Sequence, residues 1–180
     1  APAPGTPCDL RPTFKEVNGL VVIEAESFPY QCAGNNWAFT PSAQAGATVA
    51  GSGYITYTGP NRFSSPGASV SSEMIVAVDI QAAGTYKVFW HNLLFGSDQT
   101  EHNDAWLKIY GGNTEFYAAK TNSASARRIY PRGGFKSGPY PFGSSGDGFF
   151  KIYRNGPVSE WSWTTRTSDH DAHSIYVNFS

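Results

Sequence analysis

Short runs in which apolar and polar residues alternate, each closed by a glycine- or proline-rich turn, recur roughly every 8 to 15 residues along this chain. Punctuation that frequent leaves no room for long helices and directs the chain to an all-β fold of the sandwich or barrel kind. The pattern predicts a first strand over residues 20–28, with Val21, Ile23 and Ala25 facing the core and Val22, Glu24 and Glu26 on the other side. Trp37 and Phe39 open a short second strand after the loop at 29–36. Gly51-Ser52-Gly53 then sets off Tyr54-Ile55-Thr56-Tyr57-Thr58, an aromatic and polar alternation that stops at Gly59-Pro60.

Residues 72–80 and 85–93 are longer β runs joined by Ala82-Ala83-Gly84, a link short enough to predict an antiparallel pair at the centre of a sheet. Residues 104–110 alternate Trp106, Lys108 and Tyr110 against Ala105, Leu107 and Ile109. Strands over 148–154, 160–167 and 174–179 complete the series. Between them, residues 118–147 are rich in Gly, Pro, Ser and Arg without sustained period, and read as a long loop of the kind that often carries function.

Aromatic residues make up 15% of the 180-residue chain, enough to fill one core without staples. A Pro-rich leader over residues 1–13 precedes a single β-sandwich domain over 14–180. With 13 basic and 14 acidic side chains there is no field to attract nucleic acid or an anionic membrane. No apolar run is long enough to span a bilayer, and the Ala-Pro-Ala-Pro start lacks a signal-peptide pattern, so the chain reads as a mature, soluble protein. Cys8 and Cys32 are either one bridge or two thiols; they have no zinc or CxxC spacing. The terminal Asn178-Phe179-Ser180 is a lone glycosylation sequon.

Three polar groups could carry chemistry. Glu24 and Glu26, about 7 Å apart on one strand face, supply hard oxygens that suit Ca²⁺, or are a solvated pair. Asp98, Glu101 and Asp104 surround His102-Asn103, and Asp169-His170-Asp171 is followed by His173; both sets either line a site or are turn residues bonded to their own backbone. Nucleophile elbows, zinc-protease helices and phosphate-cradling loops are absent from the sequence. Of the five tryptophans, Trp90 and Trp106 sit inside strands and read as core. Trp37, Trp161 and Trp163 lie among polar residues, Glu160 and Arg166 included, where an indole face can stack on a pyranose ring.

The landmarks Ile23-Glu24-Ala25-Glu26-Ser27, Gly53-Tyr54-Ile55 and Ala83-Gly84-Thr85-Tyr86-Lys87-Val88 resemble, in order, those of carbohydrate-binding modules of families 6 and 35. His102-Asn103-Asp104-Ala105-Trp106, Trp161-Ser162-Trp163 and His173-Ser174-Ile175-Tyr176-Val177 are similar to less characterised relatives, and the likeness covers residues 18–180. The resemblance implies a galactose-binding-like jelly roll, secreted and appended to a polysaccharide-degrading enzyme, with algal polysaccharide among the ligands. It implies a structural Ca²⁺ at Glu24 and Glu26, and a sugar site that includes Tyr54 and Trp161, to which the reading of the residues adds Trp163, Trp37, Asn103 and Asp104. The family pattern closes with a further hairpin and an aspartate-bearing strand that this sequence lacks: either Asp169 or Asp171 completes the calcium site, or the chain is a fragment completed by a partner, or the likeness is a looser one, and a sheet left unclosed would have a strand edge open to another chain. The expected function is therefore non-catalytic polysaccharide binding. Its alternatives are a small all-β enzyme, such as a polysaccharide lyase using His, Tyr and Arg with the 118–147 loop, and an adhesion or assembly module.

Overall fold

The computed structural model describes residues 13–28, 36–41, 52–62, 66, 72–94, 103–120, 127–134, 147–153, 158–163, 166–167 and 173–180. Residues 1–12, both cysteines, Asp98, Glu101, His102, Asp169, His170 and Asp171 lie outside these. The fold is all-β: the described residues form short strands and one 3₁₀ turn. The chain falls into two compact units, one of residues 1–61 and 67–82, the other of 62–66 and 83–180.

The first unit holds β1 (Thr13–Lys15), β2 (Trp37–Pro41), β3 (Gly53–Tyr57) and β4 (Ala77–Asp79). β2 and β3 form an antiparallel ribbon, as their aromatic alternation predicts. Gly53 is required there, because a β-carbon would stand 2.2 Å from the Thr40 carbonyl oxygen and 2.7 Å from the Phe39 ring. β1 and β4 run parallel. The buried carboxylate of Glu16 fixes this pairing, accepting the backbone N–H groups of Gln81 at 3.0 Å and Ala82 at 2.9 Å. Its other oxygen accepts Gly19 N–H at 2.6 Å, and so holds a two-residue turn whose central Asn18 and Gly19 have φ of 54° and 80°.

That turn overturns the strand expected over 20–28. Leu20 bonds back to Val17, residues 21–24 join no ladder among the described residues, and Ala25–Ser27 coil into the 3₁₀ turn. Three successive β-branched residues, Val21 to Ile23, favour extended backbone, but nothing pairs with it. Of the expected core face, Ile23 is 37% exposed and Val21 and Ala25 are only half-buried, so that face is not core. The expected pairing of 72–80 with 85–93 also fails: β4 pairs with β1, and the boundary between the units falls at the Ala82-Ala83 link itself.

The second unit holds β5 (Gly84–Lys87), β6 (His91–Leu93), β7 (Asp104–Leu107), β8 (Thr114–Lys120), β9 (Arg128–Ile129), β10 (Phe150–Tyr153), β11 (Trp161–Trp163) and β12 (His173–Phe179). Its main sheet has the order β5-β12-β8-β9, antiparallel throughout. Period two then sorts the side chains. Phe116 and Ala118 of β8 with Ile175 and Val177 of β12 face the antiparallel β7–β10 ribbon, where Phe150 and Ile152 complete the buried cluster. Phe116 meets Phe150 edge-on at 4.9 Å. Ala105, Leu107, Ile129, Phe179, Val88 and Trp90 pack around it.

Three expectations change here. β8 was not anticipated, because Phe116, Tyr117, Ala118 and Ala119 are buried on both faces and show no alternation. The loop expected over 118–147 begins inside β8 and contains β9, which pairs back onto Ala118 and Ala119. Trp106 is not core: Ala105 and Leu107 take the inner face of β7, leaving the indole half-buried on the outer face, where its N–H donates to the Arg62 carbonyl at 2.8 Å. The strand ending at Phe179 lies inside its sheet, between β5 and β8.

Ile175 is fully buried in this cluster. Replacing it with alanine deletes three carbons and leaves a cavity, so Ile175→Ala should lower unfolding free energy by about 3 kcal/mol in urea titration.

Candidate functional site

β6 and β11 pair antiparallel, with Trp161 opposite Leu93, Ser162 opposite Asn92 and Trp163 opposite His91. His91, Leu93, Trp161 and Trp163 thus project from one face of a two-stranded ribbon. Asn92, on the other face, donates its amide to the Trp90 carbonyl at 3.2 Å, and Ser159 N–H donates to the Leu94 carbonyl at 2.8 Å just beyond the strand end. With Leu94 buried, these bonds anchor the ribbon from below.

On the upper face the His91 and Trp163 rings stack in parallel, centroids 4.2 Å apart and planes within 8°. Trp161 leans on the same imidazole at 4.9 Å and 40°. Trp163 is 62% exposed although one of its faces rests on His91, so its accessible area lies on the opposite face and the edges. A flat apolar surface is thereby held in one orientation by a strand pair and a supporting ring, at little further cost in side-chain entropy on contact with a ligand.

The other sequence candidates are placed elsewhere. Trp37 and Tyr54 belong to the β2–β3 ribbon but to opposite faces of it, since Trp37 is opposite Tyr57 while Tyr54 is opposite Thr40. Trp37 donates its indole N–H to the Ser72 carbonyl at 2.9 Å and packs on Tyr57 at 5.2 Å, a structural arrangement. Asn103 immediately precedes β7. Asp104, its first residue, pairs with the buried Lys151 ammonium of β10 at 2.6 Å, and Thr167 Oγ1 donates to the Lys151 carbonyl at 2.9 Å. Asp104 is therefore engaged in holding a buried cation, whose loss of a partner would be costly. Glu24 and Glu26 do not share a strand face; they enter and occupy the 3₁₀ turn, and Glu26 accepts from the backbone and hydroxyl of Ser52 at 3.2 and 3.4 Å. Among the described residues no three His, Cys, Asp or Glu side chains converge.

Sequence reasoning missed His91, whose role depends on which strand β11 pairs with. It also missed a polar and aromatic cluster on the outer face of the main sheet. There Tyr176 stacks on Tyr117 at 5.7 Å, the Arg128 guanidinium lies 4.3 Å over the Tyr117 ring and pairs with Glu115, and the Tyr130 hydroxyl donates to Glu115 at 2.5 Å. Tyr117, Tyr130 and Tyr176 are all buried, and the hydroxyls of Tyr117 and Tyr176 have no hydrogen-bond partner among the described residues.

Comparison with protein-family models, with curated proteins and with solved structures finds no match to this chain. No helix of the described residues is long and apolar enough to cross a membrane. His91→Ala should lower stability by about 1 kcal/mol and reduce the tryptophan near-UV circular dichroism, because the Trp163 indole loses the ring that fixes its orientation.

Proposed function

We propose that this protein is a secreted, non-catalytic carbohydrate-binding module of the jelly-roll kind, which holds an appended catalytic domain against a polysaccharide. The observation that carries this reading is the exposed Trp163 ring stacked on His91 beside Trp161. The C–H face of a pyranose fits such a surface, and affinity that is modest at one site becomes useful when the module raises the local concentration of the enzyme beside its substrate. An all-β scaffold suits the task, since a strand ribbon fixes the two indoles two residues apart on one face.

Glu24 and Glu26 would hold a structural Ca²⁺ in this reading. Both are half-buried, and their carboxylates are the hard donors calcium prefers; the ion would neutralise them and tie the 3₁₀ turn down. If so, melting temperature should rise on adding calcium and fall on adding a chelator, by mass action on the folded state. An unchanged midpoint would remove calcium from the proposal.

Native affinity gels containing agarose, carrageenan, alginate or xylan test the binding itself. Retardation is expected on at least one of them, with Trp163→Ala weakening it about tenfold or more, the loss of one well-held aromatic contact. New reducing ends or unsaturated uronates accumulating with turnover would overturn the non-catalytic reading.

A further inference from the structure

A cleft that shares no residue with the Trp163 stack opens where three connections of the second unit meet. It has a volume of about 290 Å³, and Lys108, Tyr110, Gly112, Phe116, Gly133 and Gly148 contribute to its walls. Lys108 and Tyr110 continue the outer face of β7, Gly112 lies in the turn to β8, Gly133 follows β9, and Gly148 precedes β10. Two hydrogen bonds fix the connections to each other: Gly148 N–H donates to the Arg132 carbonyl at 2.9 Å, and the Lys108 ammonium to the Asp147 carbonyl at 2.8 Å.

The glycines keep the cleft open for a backbone reason. Gly112, Gly133 and Gly148 have φ of 39°, 72° and 85°, a region L-residues rarely adopt, and a β-carbon at Gly112 would meet nothing within 4 Å. Walls without side chains let a ligand approach the main chain. The volume is near the lower end of the range for ligand sites, about 300–1,000 Å³, and suits one sugar ring rather than a long stretch of polymer.

The chemistry of the rim narrows the ligand further. Lys108 stands 5.5 Å from the Tyr110 ring centroid and 5.4 Å from that of Phe149, and among the described residues no carboxylate pairs with it. Its one hydrogen bond goes to a backbone carbonyl, which leaves the ammonium two further donors. Tyr110 is 61% exposed and offers an aromatic face beside that charge.

We propose that this cleft binds one anionic sugar residue, bearing a carboxylate or a sulfate ester, with the ring against Tyr110 and the anionic group on the Lys108 ammonium. The inference rests on the carbohydrate-binding reading of the chain but not on the Trp163 stack. A neutral sugar would use only the aromatic half of the site, so the cleft discriminates by charge where the stack discriminates by shape.

Calorimetric titration of the whole chain tests this, using a mannuronate trisaccharide, a sulfated galactan oligosaccharide and a neutral agaro-oligosaccharide. Heat is expected from one or both acidic ligands, and which of them binds identifies carboxylate or sulfate as the preferred anion. Lys108→Met and Tyr110→Ala should each weaken that binding about tenfold, and raising salt should weaken it in the unaltered protein but little in Lys108→Met. Lys108→Arg, which keeps the charge, should retain most of the affinity. Tyr110 is exposed, so its replacement by alanine keeps the test informative even if Lys108→Met fails to fold. Acidic ligands bound equally by both variants would overturn the proposal. Retention on a neutral polysaccharide gel with no heat from either acidic ligand would overturn the cleft alone; heat from the acidic ligands without retention on neutral gels would overturn the stack alone.

Discussion

The second unit depends on β12 being paired on both sides. Tyr176 to Phe179 pair with β5 along one edge and Ser174 to Phe179 with β8 along the other, and alternation then assigns their side chains to a layer. Ile175, Val177 and Phe179 join the apolar cluster, while Tyr176 stacks on Tyr117 on the opposite face. A shift of one residue in this register would exchange the two sets, placing a tyrosine hydroxyl in the apolar cluster and aliphatic side chains against Arg128 and Glu115. The register is therefore held by both layers at once, by burial on one side and by an aromatic and ionic network on the other.

In the first unit a single carboxylate does the equivalent work. Glu16 gathers three backbone N–H groups from two segments far apart in sequence, and each would otherwise need another acceptor. Two other described glutamates act as acceptors as well: Glu26 for Ser52, and Glu115 for Arg128 and Tyr130.

The all-β character was legible because it is local: Tyr54 to Tyr57, the residues around Ala105 and Leu107, and Ile175 to Phe179 each show period two within one strand. What was not legible is non-local. No window of sequence shows that β4 pairs with β1 or that His91 lies opposite Trp163, because pairing is decided by which surfaces bury each other. β8 was hidden by being apolar on both sides. Residues 20–28 misled for the opposite reason: their composition suits a strand, yet the Asn18-Gly19 turn folds the segment back before any partner is reached. Trp161 and Trp163 were legible as candidates from their spacing and polar neighbours, whereas Trp37, with similar neighbours, packs on Tyr57 and bonds to Ser72.

The position of β12 in the sheet also sets an order of events in time. It is the central neighbour of β5 and β8 but follows both in the chain, so a growing polypeptide presents β5 and β8 to the ribosome's surroundings with their mutual partner not yet synthesised. During that interval their inward edges are open to pairing with other chains. Contacts between residues near 85 and residues near 178 also give the unit a high contact order, and hence slow folding relative to a helical domain of its size. The strand that holds the layers together is thus the one whose late arrival leaves the folding intermediate most exposed to aggregation.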